Sequence, residues 1–144
     1  MRSAVLSRRV VNPGKPKNRQ NLSSGVKYEG IVGYSRAVRI GNQIFVSGTT
    51  GVNFESRSTS QSSAYLQAKK SIEKIAEALG KLGGSLADVV RTRVFIRSEG
   101  DWKGVAKAHR QAFGDVKPAS TMIVVGFLDS RILVEIEADA VLVG

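Results

Sequence analysis

Near the C-terminus Glu135, Glu137 and Asp139 alternate with Val134, Ile136, Ala138 and Ala140, and the two-residue period of a strand puts all three carboxylates on one side. A carboxylate on such a face can position or activate a water molecule beside a cleft. The same period from Val89 onward sets Arg91, Arg93, Phe95 and Arg97 together, opposite Val90, Thr92, Val94 and Ile96. The acids and bases can therefore also pair with one another across strands or subunits, and both readings stand. A glycosidase-like use of the acids is disfavoured, since no aromatic-rich sugar cleft surrounds them. His109 falls in the apolar stripe of a predicted helix, as either a packed or interface histidine or an acid–base group. Ser47-Gly48 closes a strand-like run, where amides freed at the end of a ladder can bind an anionic or carbonyl oxygen; an ordinary Ser-Gly turn is the alternative. The glycines of 80–84 follow a helical segment and lack phosphate-loop spacing, so they argue for no nucleotide loop.

These residues need a sheet and helices to hold them. Ala37–Ile40 and Gln43–Ser47 flank Gly41-Asn42, which reads as a hairpin with a type II′ or I′ turn. The loop of 49–63 ends in serines suited to capping a helix. Tyr65, Ala68, Ile72, Ile75, Ala76, Leu79 and Leu82 then recur at helical spacing with lysines and glutamates between them, and Gly83-Gly84 ends that helix. Val89–Ile96 is strand-like. Ser98 with Asp101 resembles a capping box opening a second helix to about Phe113, with Trp102, Ala106, His109 and Phe113 as its stripe. Thr121–Val125 and 133–143 complete the pattern as strands. The order β-β-α-β-α-β-β predicts an α+β two-layer sandwich: the helices cover the apolar sheet face and leave the charged face in need of cover, which argues for oligomerisation.

The chain has 144 residues, no cysteine, one histidine and 42% hydrophobic residues, which suits one globular domain. Disulfides, a thiolate nucleophile and a multi-histidine zinc centre are excluded. No apolar run approaches the roughly 20 residues that span a bilayer, so no membrane association is expected. The net charge of +10 divides into +6 on residues 1–30 and +4 on the rest. Residues 1–30 are thus read as a basic N-terminal extension and 31–144 as a single domain. The extension reads as a solvated arm or subunit-contact arm, as a transit peptide, or as a phosphate-binding arm without stacking aromatics. Cytoplasmic localisation is expected, or mitochondrial if the extension is a transit peptide.

Read in order, Gly33-Tyr34, the Gly41–Gly48 segment, Leu86–Phe95, Pro118-Ala119 and Val134–Ala138 resemble the Rid (reactive intermediate deaminase) family, also called YjgF-like and formerly the L-PSP endoribonuclease family. The resemblance spans Tyr34 to Val143. It implies a chorismate-mutase-like fold assembled as a homotrimer around a central β-barrel, with clefts between subunits. It also implies hydrolysis of 2-imino or 2-enamino acids to 2-oxo acids and ammonia, without metal or cofactor. By this resemblance Glu135 orients the hydrolytic water, Tyr34 is the cleft tyrosine, and Ser47 and Gly48 hold the ligand. Ser120 stands where active deaminases of the family carry arginine. A guanidinium gives a carboxylate two charge-assisted hydrogen bonds and a serine gives one neutral bond, so the change weakens carboxylate binding by roughly 100-fold or more. Arg93 or Arg36 are the candidates to supply charge instead.

The leading expectation is an imine or enamine hydrolase with an altered small carbonyl- or imine-type substrate. A non-catalytic metabolite-binding or interaction module is the alternative. An RNA-binding or RNA-cleaving activity comes third, because the body carries little charge and has neither a stacking cluster nor a histidine pair; nucleic acid is not an expected partner.

Overall fold

The computed structural model describes residues 18–55 and 62–143. Six strands form one sheet in the order β1-β2-β3-β6-β4-β5. They are β1 (Arg19–Leu22), β2 (Ala37–Ile40), β3 (Gln43–Thr50), β4 (Val89–Ile96), β5 (Ala119–Val124) and β6 (Val134–Val141), with helices α1 (Lys27–Val32), α2 (Ala64–Lys81) and α3 (Trp102–Phe113) between them. Only β4 and β5 pair in parallel, joined by the crossover through α3; every other neighbouring pair is antiparallel. Strand β6 is inserted between β3 and β4 and so occupies the centre of the sheet.

The layers follow from the sequence periods. In β6 Val134, Ile136, Ala138 and Ala140 are buried while the residues between them are only partly so, as alternation requires. On the buried side lie α2, through Ala68, Ile72, Ile75 and Leu79, and α3, through Val105, Ala108 and Phe113. Ser63 caps α2 by accepting a hydrogen bond from the Leu66 amide at 3.2 Å. Gln67, buried on α2, accepts from the Leu133 amide at 2.9 Å and donates to the Arg131 carbonyl at 3.0 Å, fastening the chain just before β6. The fold is the expected α+β two-layer arrangement. Among the described residues no helix is long and apolar enough to cross a membrane.

Several local features differ from the sequence reading. Strand β1 pairs along the whole of β2, and the short α1 follows it, so regular structure begins at Arg19 inside the segment read as an extension and α1 crosses its boundary at residue 30. Residues 1–17, which hold most of its charge, lie outside the described residues. A register shift at the start of β4 breaks the expected alternation: Val89 is buried and Val90 exposed. In α3 the core stripe runs through Val105 and Ala108, and Trp102 is 49% exposed. Ser98 caps a 3₁₀ turn over Glu99–Asp101, ahead of α3. The same serine-to-aspartate spacing makes its reciprocal contact at Ser85 and Asp88, whose Oδ2 accepts from the Ser85 amide at 2.8 Å. At the hairpin, Gly41 has φ 58° and Asn42 has no positive φ, which selects type II′ from the two turns expected.

Candidate functional site

Between Val46 and Thr49, β3 gains one residue relative to β6, so Ser47 and Gly48 form a bulge. A bulge takes backbone groups out of the ladder, and a side chain replaces the lost partners here. Nη2 of Arg36 donates to the Ser47 carbonyl at 2.7 Å and to the Gly48 carbonyl at 2.6 Å. Thr49 Oγ1 also donates to the Ser47 carbonyl at 2.8 Å, and the Ser47 hydroxyl donates to the Ser35 carbonyl at 2.6 Å. Ser47 therefore enters the site with its hydroxyl already engaged.

The bulge faces Glu135. Thr50 of β3 and Phe95 of β4 flank Glu135 in register, and its carboxyl lies over Gly48 so closely that a Cβ there would collide with it. Glycine at 48 leaves room for this approach, with no positive φ involved. Burial pushes the Glu135 carboxyl above its ordinary pKa; the Arg36 charge opposes that rise and Glu137 adds to it. Burial lowers the Arg36 pKa, while the nearby Tyr34, Glu29 and Glu135 raise it; its Nε is buried with no partner among the described residues.

Helix α1 and the turn after it complete the cluster. Gly33 takes a left-handed conformation at φ 86° and closes the helix, and the Tyr34 amide donates to the Glu29 carbonyl at 3.1 Å. That turn leaves the Tyr34 side chain 38% exposed beside Arg36. Glu29 is itself buried: its carboxylate accepts from the Ser24 amide at 3.0 Å and from the Ser24 hydroxyl. Burial raises the Glu29 pKa, but these bonds, with Ser23 and the Arg36 charge, hold it below the ordinary value. On the helix side, Ser71 donates to the Thr49 carbonyl at 2.7 Å and Lys74 to the Thr50 carbonyl at 2.9 Å, pinning the strand just past the bulge.

Glu135, Gly48, Ser47, Arg36 and Tyr34 are thus brought together, while Arg93 and Ser120 are placed elsewhere. Arg93 lies 3.3 Å from Glu137 and 3.2 Å from Asp139 on the outer face, so the charge pairing considered for these strands is present within one chain. Ser120 is registered beside Thr92, which is fully buried toward the helices, and Thr92 also contacts His109. Ser120 therefore faces the helix layer, opposite the side that carries Glu135. Arg36 was legible as a spare cation; its hold on the bulge carbonyls was not, because a bulge leaves no mark in the sequence beyond a glycine. Glu29 and Lys74 lay unnoticed among ordinary charged positions. Among the described residues no group of three or more His, Asp or Glu side chains could hold a metal ion.

A family model described as Endoribonuclease L-PSP matches residues 25–142. An uncharacterized protein of Streptomyces coelicolor is 34% identical over 122 residues, 84% of this chain and 90% of that protein. The human 2-iminobutanoate/2-iminopropanoate deaminase is 29% identical over 123 residues, 85% of this chain and 90% of that protein. Among solved structures, Rv2704 of Mycobacterium tuberculosis, described as a member of the YjgF/YER057c/UK114 family, superposes with a TM-score of 0.78 at 42% identity, covering 86% of this chain and 99% of its own. With these matches spread over nearly the whole of the sheet and both long helices, the chain belongs to the L-PSP endoribonuclease family, also known as the YjgF or Rid family.

Proposed function

We propose that this protein hydrolyses the C=N bond of a small imine or enamine in a cleft completed by a second copy of the chain. The observation that carries this reading is the Glu135 carboxyl, half-buried against Gly48 with its pKa raised by burial and moderated by Arg36. A raised carboxyl pKa suits a group that must both take and return a proton. In this reading Glu135 accepts a proton from water as the water oxygen bonds to the imine carbon, giving a carbinolamine. Return of a proton to nitrogen lets ammonia leave as the C=O bond forms, so one water is consumed and one ammonia released. Tyr34 and the backbone of Ser47-Gly48 orient the ligand, and Arg36 keeps the bulge in shape.

The second copy follows from taking Ser120 as a cleft residue, as the resemblance implies. Glu135 and Ser120 lie on opposite faces, so one chain cannot bring both to one ligand, whereas a homotrimer would set Ser120 of the partner subunit against the Glu135 cluster. The uncovered outer face, with Phe45 43% exposed beside the Arg93–Glu137–Asp139 ion pairs, supports self-association. Ser120 in place of arginine favours a second reading, a binding module without turnover.

The test is to generate 2-iminopropanoate and its neutral counterpart 2-iminopropanamide in situ and follow release of ammonia and the carbonyl product. Glu135→Gln is expected to lower the rate about 10²–10⁴-fold. Rates equal to buffer for both compounds, unchanged in Glu135→Gln, would overturn the hydrolase and leave the binding module. Light scattering of the full chain tests the trimer; a monomer at micromolar concentration refutes the shared cleft.

A further inference from the structure

Ser120 is hydrogen-bonded into a chain that reaches a titratable group. Thr92 Oγ1 lies 2.8 Å from Ser120 Oγ and 2.8 Å from Nε2 of His109, the single histidine of the sequence. Each link sits on its own element: Ser120 on the exposed edge strand β5, Thr92 fully buried on β4, and His109 on α3 against the ring of Phe113, with centroids 4.7 Å apart. A threonine hydroxyl has one hydrogen, so the chain of bonds runs in one direction at a time. Where Thr92 donates to Ser120, His109 donates to Thr92 from Nε2. The hydrogen of Ser120 is then left for a group outside the chain. Were the lone pair at Nε2, every bond would run inward and Ser120 would offer only lone pairs. Burial holds the His109 pKa below its ordinary value, so at neutral pH the ring is uncharged and its tautomer sets the direction.

We propose that His109, acting through Thr92, fixes Ser120 as an outward hydrogen-bond donor for a neutral carbonyl or amide oxygen, so that the site selects uncharged carbonyl compounds over 2-oxo or 2-imino carboxylates. This rests on Ser120 being a cleft residue, as argued above. One neutral hydrogen bond serves an amide or ester carbonyl. A carboxylate taken out of water needs charge-assisted partners, which this relay does not supply. His109 and Thr92 are positioning residues here.

The experiment titrates the full chain, labelled with ¹⁵N-histidine, with pyruvamide and with pyruvate, which share a shape and differ in charge. The expected results are an Nε2–H tautomer in the free protein and tighter binding of pyruvamide. Thr92→Val should weaken pyruvamide about threefold to tenfold while leaving pyruvate unchanged, Thr92→Ser should restore it, and Ser120→Arg should reverse the preference. If Thr92→Val does not fold, His109→Phe removes the donor and keeps a ring against Phe113. Tighter binding of pyruvate, a lone pair at Nε2, equal losses for both ligands in the relay variant, or no binding of either ligand overturns the proposal. Relay-dependent pyruvamide binding without imine turnover supports it and sinks the hydrolase; turnover without relay-dependent preference does the reverse.

Discussion

Replacing Gly48 by alanine separates the position of the Glu135 carboxyl from the stability of the fold. The added Cβ collides with Oε1 of Glu135 and lies 3.0 Å from its Cδ and 3.3 Å from its Cγ. The backbone raises no objection, because Gly48 is not one of the positive-φ glycines. Pairing with Thr50 and Phe95 holds the Glu135 backbone, so the clash is relieved by turning the carboxyl away, at about 0.5–1.5 kcal/mol of rotamer strain. Alanine returns about 0.4–1 kcal/mol by narrowing the unfolded ensemble. The net change in stability is within about 1 kcal/mol, a Tm shift under about 5 °C. Turnover should respond far more, because a carboxyl swung off its water loses alignment; kcat/KM is expected to fall about 100-fold or more. Gly51→Ala is the contrast: its Cβ meets the Gln67 backbone, 2.7 Å from Cα and 2.8 Å from the carbonyl carbon, and backbone cannot rotate aside. That variant should lose about 1–3 kcal/mol or more. Imine turnover and thermal unfolding are measured on both. Undiminished turnover in Gly48→Ala, or a stability loss matching that of Gly51→Ala, would refute the reasoning.

Three further outcomes follow from the same geometry. The folded state raises the Glu135 pKa above the ordinary 4.5 and so binds its proton more tightly than the unfolded chain; the stability this contributes is complete below 4.5 and is lost as pH rises through the folded value. Glu135→Gln, which cannot ionise, should therefore be more urea-resistant than the parent at pH 7, with the advantage fading toward pH 4; equal midpoints at both pH values would contradict this. Arg36→Met removes the charge that opposes the effect of burial on Glu135, so the acid limb of the pH–rate profile should move to higher pH, and an unmoved limb would show that Arg36 acts on the bulge alone. Ser63→Ala should cost about 1 kcal/mol by removing the cap on α2, measured by denaturant unfolding with turnover unchanged.

Elements with a strong period were legible from the chain alone. The alternation of β6, the amphipathic stripe of α2 and the Gly41-Asn42 turn are local signals, and each matches the structure closely. β1 and α1 gave no such signal. Residues 19–32 show neither alternation nor a clean stripe, and α1 leaves Tyr28, Ile31 and Val32 exposed, so pairing with β2 and the Glu29 contacts define the segment. The stripe of α3 was misaligned because Trp102 lies in its first turn, beyond the edge of the core, where an aromatic residue stays half in water. Of the candidate site, Glu135 and Ser47-Gly48 are candidates from the strand period and the strand end, their individual roles and Tyr34 come through resemblance, and Arg36 reads only as a spare charge.

Composition and period determined a one-sided sheet, a face of acids and bases, and the absence of any thiolate or multi-histidine chemistry. They also determined that position 120 offers a single neutral hydroxyl instead of a guanidinium. Which of three equivalent carboxylates differs from the others was decided by tertiary structure: the bulge in β3 sets Gly48 against Glu135, while Glu137 and Asp139 are taken by Arg93. Tertiary structure likewise turned Ser120 toward the helix layer and joined it, through Thr92, to a histidine 17 residues along from that threonine. The physical reason is register. A period tells which side of a strand a residue occupies, but only the pairing of strands and the packing of a helix above them decide which side chains meet.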